Sequence, residues 1–250
     1  MLSLNGKLAL ITGASRGIGE EVAKLYAKAG AHVIVSSRKQ DGIQAVADVI
    51  NYNGGKATAL ACHIGDPQAL EQLMTTIESE IGYLDILVNN AAANPYFGPI
   101  IDTPFSAIRK TIEVNIEGYF LSSQLAAKMM RQAGGGCIIN TASVNGISPA
   151  PMQGIYSITK AAIISMTQAF AKECASDNIR INAVLPGLTD TKFAQALTSN
   201  EAMLQQILPS IPMNRMAQPH EIAPLFLFLA SNAASYITGA SIPVDGGLLI

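Results

Sequence analysis

Charge is scarce in this chain: Asp, Glu, Lys and Arg make up 14% of its 250 residues, against ~25% in ordinary soluble domains, while 49% are hydrophobic. That balance excludes a disordered chain or a coiled coil. The 16 basic and 18 acidic residues leave a formal charge of −2, and no basic run is longer than Arg38-Lys39. Nucleic acid and anionic membrane are therefore poor partners. Only three cysteines occur, Cys62, Cys137 and Cys174, odd in number and far apart. They build neither a disulfide framework nor a Cys-x-x-Cys metal site, so a reducing, cytoplasmic compartment is expected. His32, His63 and His220 lack metal-ligand spacing, and no metal is expected. No apolar run approaches the ~18 residues that span a bilayer, and the start of the chain lacks the pattern of a secretory signal. Repeats, low-complexity tracts and Pro/Ser-rich linkers are also missing, so residues 1–250 read as one domain. The surplus of apolar residues points to partner subunits as its cover.

What is present is an alternation of short apolar runs with longer helix-like stretches. The runs are Leu8–Thr12, His32–Ser36, Ala57–Ala61, Ile86–Asn89, Cys137–Asn140, Ile181–Leu185 and Ser241–Val244. Nearly continuous apolarity over about five residues predicts strands buried on both faces, as in a parallel sheet covered by helices. The fold class is therefore α/β, doubly wound. Two helices are predicted at 105–131 and 155–175. The second carries apolar residues almost all the way round, including Ile158, Ile163, Ile164, Met166 and Phe170, and so predicts contact with a partner helix.

Directly after the first run comes Thr12-Gly13-Ala14-Ser15-Arg16-Gly17-Ile18-Gly19. Glycines between a strand and a helix permit a tight turn and close approach of backbone to a pyrophosphate, with helix N-terminal amides facing it. Gly13, Ser15, Arg16, Gly17, Ile18 and Gly19 are thus candidate dinucleotide-binding residues, although three glycines in seven also make a plain strand-to-helix turn. The second run ends Ser36-Ser37-Arg38-Lys39, without the acid that receives ribose hydroxyls in NAD sites. Arg38 and Lys39, with Arg16 opposite, favour the 2′-phosphate of NADP(H) over NAD(H). As isolated residues they would be ordinary solvated cations.

Tyr156 and Lys160 stand four residues apart at the start of the second long helix and so share a face. Such pairs are common. Thirteen residues upstream, Ser143 lies just past the fifth run, at the edge where α/β proteins bind ligands. A tyrosine ordinarily ionises near pH 10, and a neighbouring lysine cation is expected to lower that value and make Tyr156 an acid/base group.

The glycine turn, Asn89-Asn90-Ala91-Ala92, Asn115, Ser143, Tyr156-Ser157-Ile158-Thr159-Lys160 and Pro186-Gly187, continuing to Ile237-Thr238-Gly239 and Asp245-Gly246-Gly247, resemble the short-chain dehydrogenase/reductase family over essentially the whole chain. Cys62-His63-Ile64-Gly65, Ser36–Gln40 and Asn90–Pro95 are similar to its NADPH-dependent retinal and carbonyl reductase branch. The resemblance implies a single-domain Rossmann fold with a seven-stranded parallel sheet and helices on both faces, assembled as a homotetramer. It implies Tyr156 as proton donor, Ser143 as its partner on the substrate oxygen, and Lys160 as binder of nicotinamide ribose. Asn115 would kink its helix and hold a water that links Lys160 to solvent. Asn90 and Ala91 would lie by the cofactor, as would Pro186, Gly187, Leu188 and Thr191. His63 replaces the family's usual acid at the adenine, with Ile64 beside it, and Asp66 reads as a helix cap before Pro67.

Residues 188–215, apolar through Phe193, Leu197, Met203, Leu204, Ile207, Leu208, Ile211 and Met213, correspond to the family's substrate flap. Tyr96, Phe97, Ile147 and Met152 near the mouth favour a hydrophobic ketone, aldehyde or α-dicarbonyl. The alternatives are a 3-oxoacyl thioester reductase and a non-catalytic NADP-binding regulator.

Overall fold

The computed structural model describes residues 2–194 and 201–250. Its centre is a seven-stranded parallel sheet in the order β3-β2-β1-β4-β5-β6-β7. The strands are β1 (Leu8–Thr12), β2 (His32–Ser36), β3 (Lys56–Ala59), β4 (Ile86–Asn89), β5 (Gly136–Thr141), β6 (Ile179–Pro186) and β7 (Ser241–Val244). All seven predicted runs are strands. The third ends two residues early, because beyond Ala59 only single backbone bonds, Leu60 N–H to Val35 O and Cys62 N–H to Ser37 O, continue the pairing.

Alternation within the strands explains why both faces are apolar. Ala9, Ile11, Val33, Val35, Val88 and Ile139 point into one layer, and Leu8, Leu10, Ile34, Leu87, Ile138 and Ile181 into the other. The first layer is closed by α1 (Gly17–Lys28), α2 (Gln40–Tyr52) and α8 (Pro219–Ala230). Tyr26, fully buried in α1, donates its hydroxyl to the Phe226 carbonyl at 2.8 Å and pins α1 to α8. The second layer is closed by α3 (Pro67–Thr76), α5 (Gly118–Gln132) and α6 (Gly154–Cys174). Each fully buried Leu, Ile or Val contributes about 1.5–3 kcal/mol. α4 (Phe105–Ile112) precedes α5, and α7 (Glu201–Ile207) lies between β6 and α8.

The predicted helix over 105–131 is helical throughout but not one α-helix. Between α4 and α5 the residues Glu113–Glu117 form a π-turn, which widens the helix by one residue and turns Asn115 inward. Strand order reverses between β1 and β4, and the carboxyl ends of these strands and of β5 open one crevice. Among the described residues no helix is long and apolar enough to cross a membrane, and all three cysteines are free.

Candidate active site

The crevice begins at the glycine turn. Register pairs Thr12 with Ser36, and Ala14 N–H donates to Ser36 O at 3.1 Å, so the turn and the segment Ser37-Arg38-Lys39 leave the sheet side by side. Arg16, Arg38 and Lys39 are all exposed there. Gly13, at φ 66°, lies so close to Ala91 that a Cβ would stand 2.6 Å from its Cα. Gly17, at φ 61°, faces Thr191, whose Cγ2 would be 3.2 Å from a Cβ. Gly19 is sealed by Asn90, whose Nδ2 donates to the Thr12 and Gly13 carbonyls at 3.1 and 3.2 Å. The first turn of α1 has no side-chain cap, leaving its amides for another acceptor. Backbone donors, cations and glycines crowded by Ala91 and Thr191 form a cradle that fits a dinucleotide pyrophosphate.

Ser15 and Ile18 are half-buried in the same turn. Pro186, paired with Val244, and Gly187, packed on Asp245, continue β6 toward Leu188 and Thr191. His63 and Ile64 are at the neighbouring loop, with Ile64 buried. The His63 ring is drawn toward α4: Lys110 Nζ is 2.8 Å from Nε2, and Lys110 pairs with Glu113 at 2.6 Å. Burial, then the Lys110 charge, lower the pKa of His63. Asp66 is the cap expected, accepting from the Gln68 and Ala69 amides at 3.0 and 3.2 Å.

Across the crevice, Ser143 follows β5 and Tyr156 and Lys160 stand on α6; the three are 8%, 8% and 1% exposed. Lys160 Nζ donates to the Thr141 carbonyl at 2.7 Å and lies 5.4 Å over the Tyr156 ring and 5.5 Å over that of Tyr119. Burial lowers the Lys160 pKa to about 7. Tyr156 does not move as the charge argument expects. Burial pushes its hydroxyl well above its ordinary value, and a hydrogen bond with Ser143 opposes that only in part. The reason is depth: burial raises the phenol directly, and by lowering the Lys160 pKa it also weakens the cation meant to oppose that rise. The Phe193 ring packs 5.6 Å from that of Tyr156, so the segment after β6 touches the site. Leu197 and the side chain of Met203 lie outside the described residues.

Asn115 Nδ2 donates to the Ala93 carbonyl and to Thr159 Oγ1, both at 3.0 Å, and Oδ1 accepts from Ala93 N–H at 2.8 Å. Both amide hydrogens are thus in use, and Asn115 ties the loop after β4 to the residue preceding Lys160. Asn89 links β4 to β5 through Asn140 Oδ1 at 3.0 Å and accepts from Ser122 at 2.7 Å. Two positioning residues escaped the sequence reading. Thr12 Oγ1 accepts from the Asn90 and Ala91 amides at 2.9 and 3.2 Å, and the Thr141 carbonyl receives Lys160. A threonine closing a buried strand was their only sequence signal.

A family model described as enoyl-(acyl carrier protein) reductase matches residues 13–249. Dehydrogenase/reductase SDR family member 4 of Oryctolagus cuniculus is 35% identical over 98% of this chain and 94% of its own. A 7α-hydroxysteroid dehydrogenase, solved with NADH and 7-oxo glycochenodeoxycholic acid, is 37% identical with a TM-score of 0.94, covering 98% of this chain and 95% of that one. A gluconate 5-dehydrogenase from Burkholderia cenocepacia, solved with NADP and tartrate, is 30% identical with a TM-score of 0.95, covering 99% and 96%.

Proposed function

This chain belongs to the short-chain dehydrogenase/reductase family of NAD(P)-dependent oxidoreductases acting on C=O and CH–OH groups, and we propose that it is an NADPH-preferring carbonyl reductase. The observation that carries this reading is the buried Ser143, Tyr156 and Lys160 cluster, in which Lys160 lies 5.4 Å over the Tyr156 ring and burial favours the protonated phenol. Nicotinamide, when bound, supplies the hydride. Tyr156 gives its hydroxyl proton to the carbonyl oxygen, and Ser143 donates a hydrogen bond to the same oxygen as its charge develops. Lys160, with a pKa of about 7, can replace the proton that Tyr156 loses. Asn115 positions Thr159 and hence Lys160.

The two structural relatives hold different cofactors, so the preference rests on this chain's own residues. Arg38, with Lys39 and with Arg16 across the turn, leaves β2 where no carboxylate occurs from Ser36 to Gln40, and this supports NADPH. His63, Ile64, Asn90, Ala91, Leu188 and Thr191 would complete the cofactor site. Residues 188–215 would be the substrate flap, with Phe193 against Tyr156. A groove between α5 and α6, with Phe120, Met166 and Phe170 on its floor and Lys128, Arg131, Glu173 and Asp177 also lining it, supports contact with a partner subunit and so the homotetramer, and the chain's three free thiols support a cytoplasmic place.

The test is NADPH and NADH consumption by the purified protein against retinal, an aromatic α-diketone and an acetoacetyl thioester. Turnover of retinal or the diketone with NADPH is expected. Turnover of the thioester alone would move the protein to acyl-chain reduction, and silence with all three would overturn the pocket assignment.

A further inference from the structure

Tyr119 is fully buried in the first turn of α5 and takes no part in the proton transfer from Tyr156 to a carbonyl. Its position follows from the residues before it. The π-turn over Glu113–Glu117 ends at Gly118, where a Cβ would stand 2.6 Å from the Ile64 carbonyl oxygen, so a larger residue would push α5 off the loop after β3. Asn115 and Tyr119, four residues apart, then reach the same short stretch of α6. Asn115 bonds Thr159, and Lys160 Nζ lies over the Tyr119 ring, 5.5 Å from its centroid. The Tyr119 hydroxyl donates to the Thr141 carbonyl at 3.4 Å, the oxygen that also takes Nζ at 2.7 Å.

The face of an aromatic ring is negative, so a cation within about 6 Å of its centre is attracted, and more strongly where water is excluded. Lys160 Nζ faces two such rings, Tyr156 at 5.4 Å and Tyr119 at 5.5 Å. Its hydrogen-bond acceptor among the described residues is the Thr141 carbonyl, although an ammonium carries three donors. Tyr156 and Tyr119 are the titratable side chains that face it from α6 and α5, and β5 brings the neutral Thr141 carbonyl. Among the described residues no carboxylate or second cation acts on Lys160, and burial is what lowers its pKa. Burial also raises the Tyr119 pKa well above its ordinary value, so that ring stays a neutral phenol. With one acceptor set against desolvation, the ring faces decide how much of the amine is charged near neutrality.

Resting on the carbonyl-reductase reading, we propose that Tyr119 is a positioning residue whose ring face holds the Lys160 ammonium charged in the water-free site, so that Lys160 can return a proton to Tyr156 at neutral pH. Reduction should slow as pH rises through the Lys160 pKa, since the amine then has no proton to return. The experiment compares wild type with Tyr119→Phe, Tyr119→Leu and a protein carrying 3,4,5-trifluorophenylalanine in place of Tyr119, in which fluorine drains the ring face while its shape stays close to Phe. Two midpoints are read. One is the alkaline fall of kcat/KM with NADPH for 1-phenyl-1,2-propanedione, or for retinal where only retinal turns over. The other comes from Tm without cofactor or substrate: the loss of stability with falling pH levels off once Lys160 of the folded chain is protonated. Tyr119→Phe should keep both midpoints within about 0.3 of a unit of wild type, while Tyr119→Leu and the trifluoro ring should lower both by about half a unit to one unit. If Tyr119→Leu does not fold, the trifluoro ring decides alone. The proposal is overturned by midpoints that ignore the trifluoro ring, or by a Phe variant that shifts as far as Leu, which would place the effect in the hydroxyl. Wild type that binds NADPH and reduces neither carbonyl brings down the reading beneath it and the proton return with it, while the Tm series, which needs no substrate, still shows whether the ring holds the charge.

Discussion

Removing the buried amine should stabilise the protein, and more so as pH falls. Lys160 is 1% exposed, and burial alone lowers its pKa from 10.5 to about 7. Between these values the unfolded chain binds a proton that the folded chain does not, so stability rises with pH across that window. The cost is complete below about pH 7 and vanishes above about pH 10.5. For one group with these two values, going from about pH 9 to about pH 6 costs the folded state on the order of 2–3 kcal/mol. Lys160→Met keeps a long unbranched side chain and abolishes the titration. It also loses the 2.7 Å bond to the Thr141 carbonyl, worth roughly 1 kcal/mol at any pH. The difference between variant and wild type should therefore move in the variant's favour by roughly 2–3 kcal/mol over that range, or several °C in Tm for a chain of this size. Scanning calorimetry of both proteins without cofactor, at matched ionic strength, measures it. A difference that is constant with pH, or that favours wild type in acid, would refute the argument that desolvation governs Lys160.

Tyr156→Phe should lower kcat by about 10²–10⁴-fold while NADPH affinity, read by fluorescence titration, stays within a few-fold; retained turnover removes Tyr156 from its role. Arg38→Asp should weaken NADPH binding by about 10- to 150-fold, the loss of one charge-assisted phosphate contact, and leave NADH binding close to wild type. An unchanged NADPH-to-NADH ratio sinks that assignment. Asp66→Ala removes a cap that accepts two amides of α3, and should cost about 1 kcal/mol in denaturant unfolding with no change in cofactor affinity. A change in affinity instead would give Asp66 a place at the adenine.

What the sequence made legible was whatever depends on local period and spacing. Seven apolar runs became seven strands because a strand covered on both faces is nearly all apolar, as in Leu8–Ile11, and the edge strands β3 and β7, only partly buried, kept enough of that pattern to be read. The glycine turn and the Tyr156/Lys160 spacing were legible for the same reason, since both are distances along one element. The π-turn was not, because one extra residue at Glu113–Glu117 leaves the apolar pattern of 105–131 unbroken while rotating Asn115. Neither was the direction in which Tyr156 titrates. A four-residue spacing says that a lysine is near, and the sign follows from how deep both groups lie, which the sheet, α6 and Tyr119 fix together. Burial, which desolvates Lys160 and Tyr156, also leaves Asn94 Oδ1, Ser36 Oγ and Ser241 Oγ without partners among the described residues, a cost that no spacing along the chain announces.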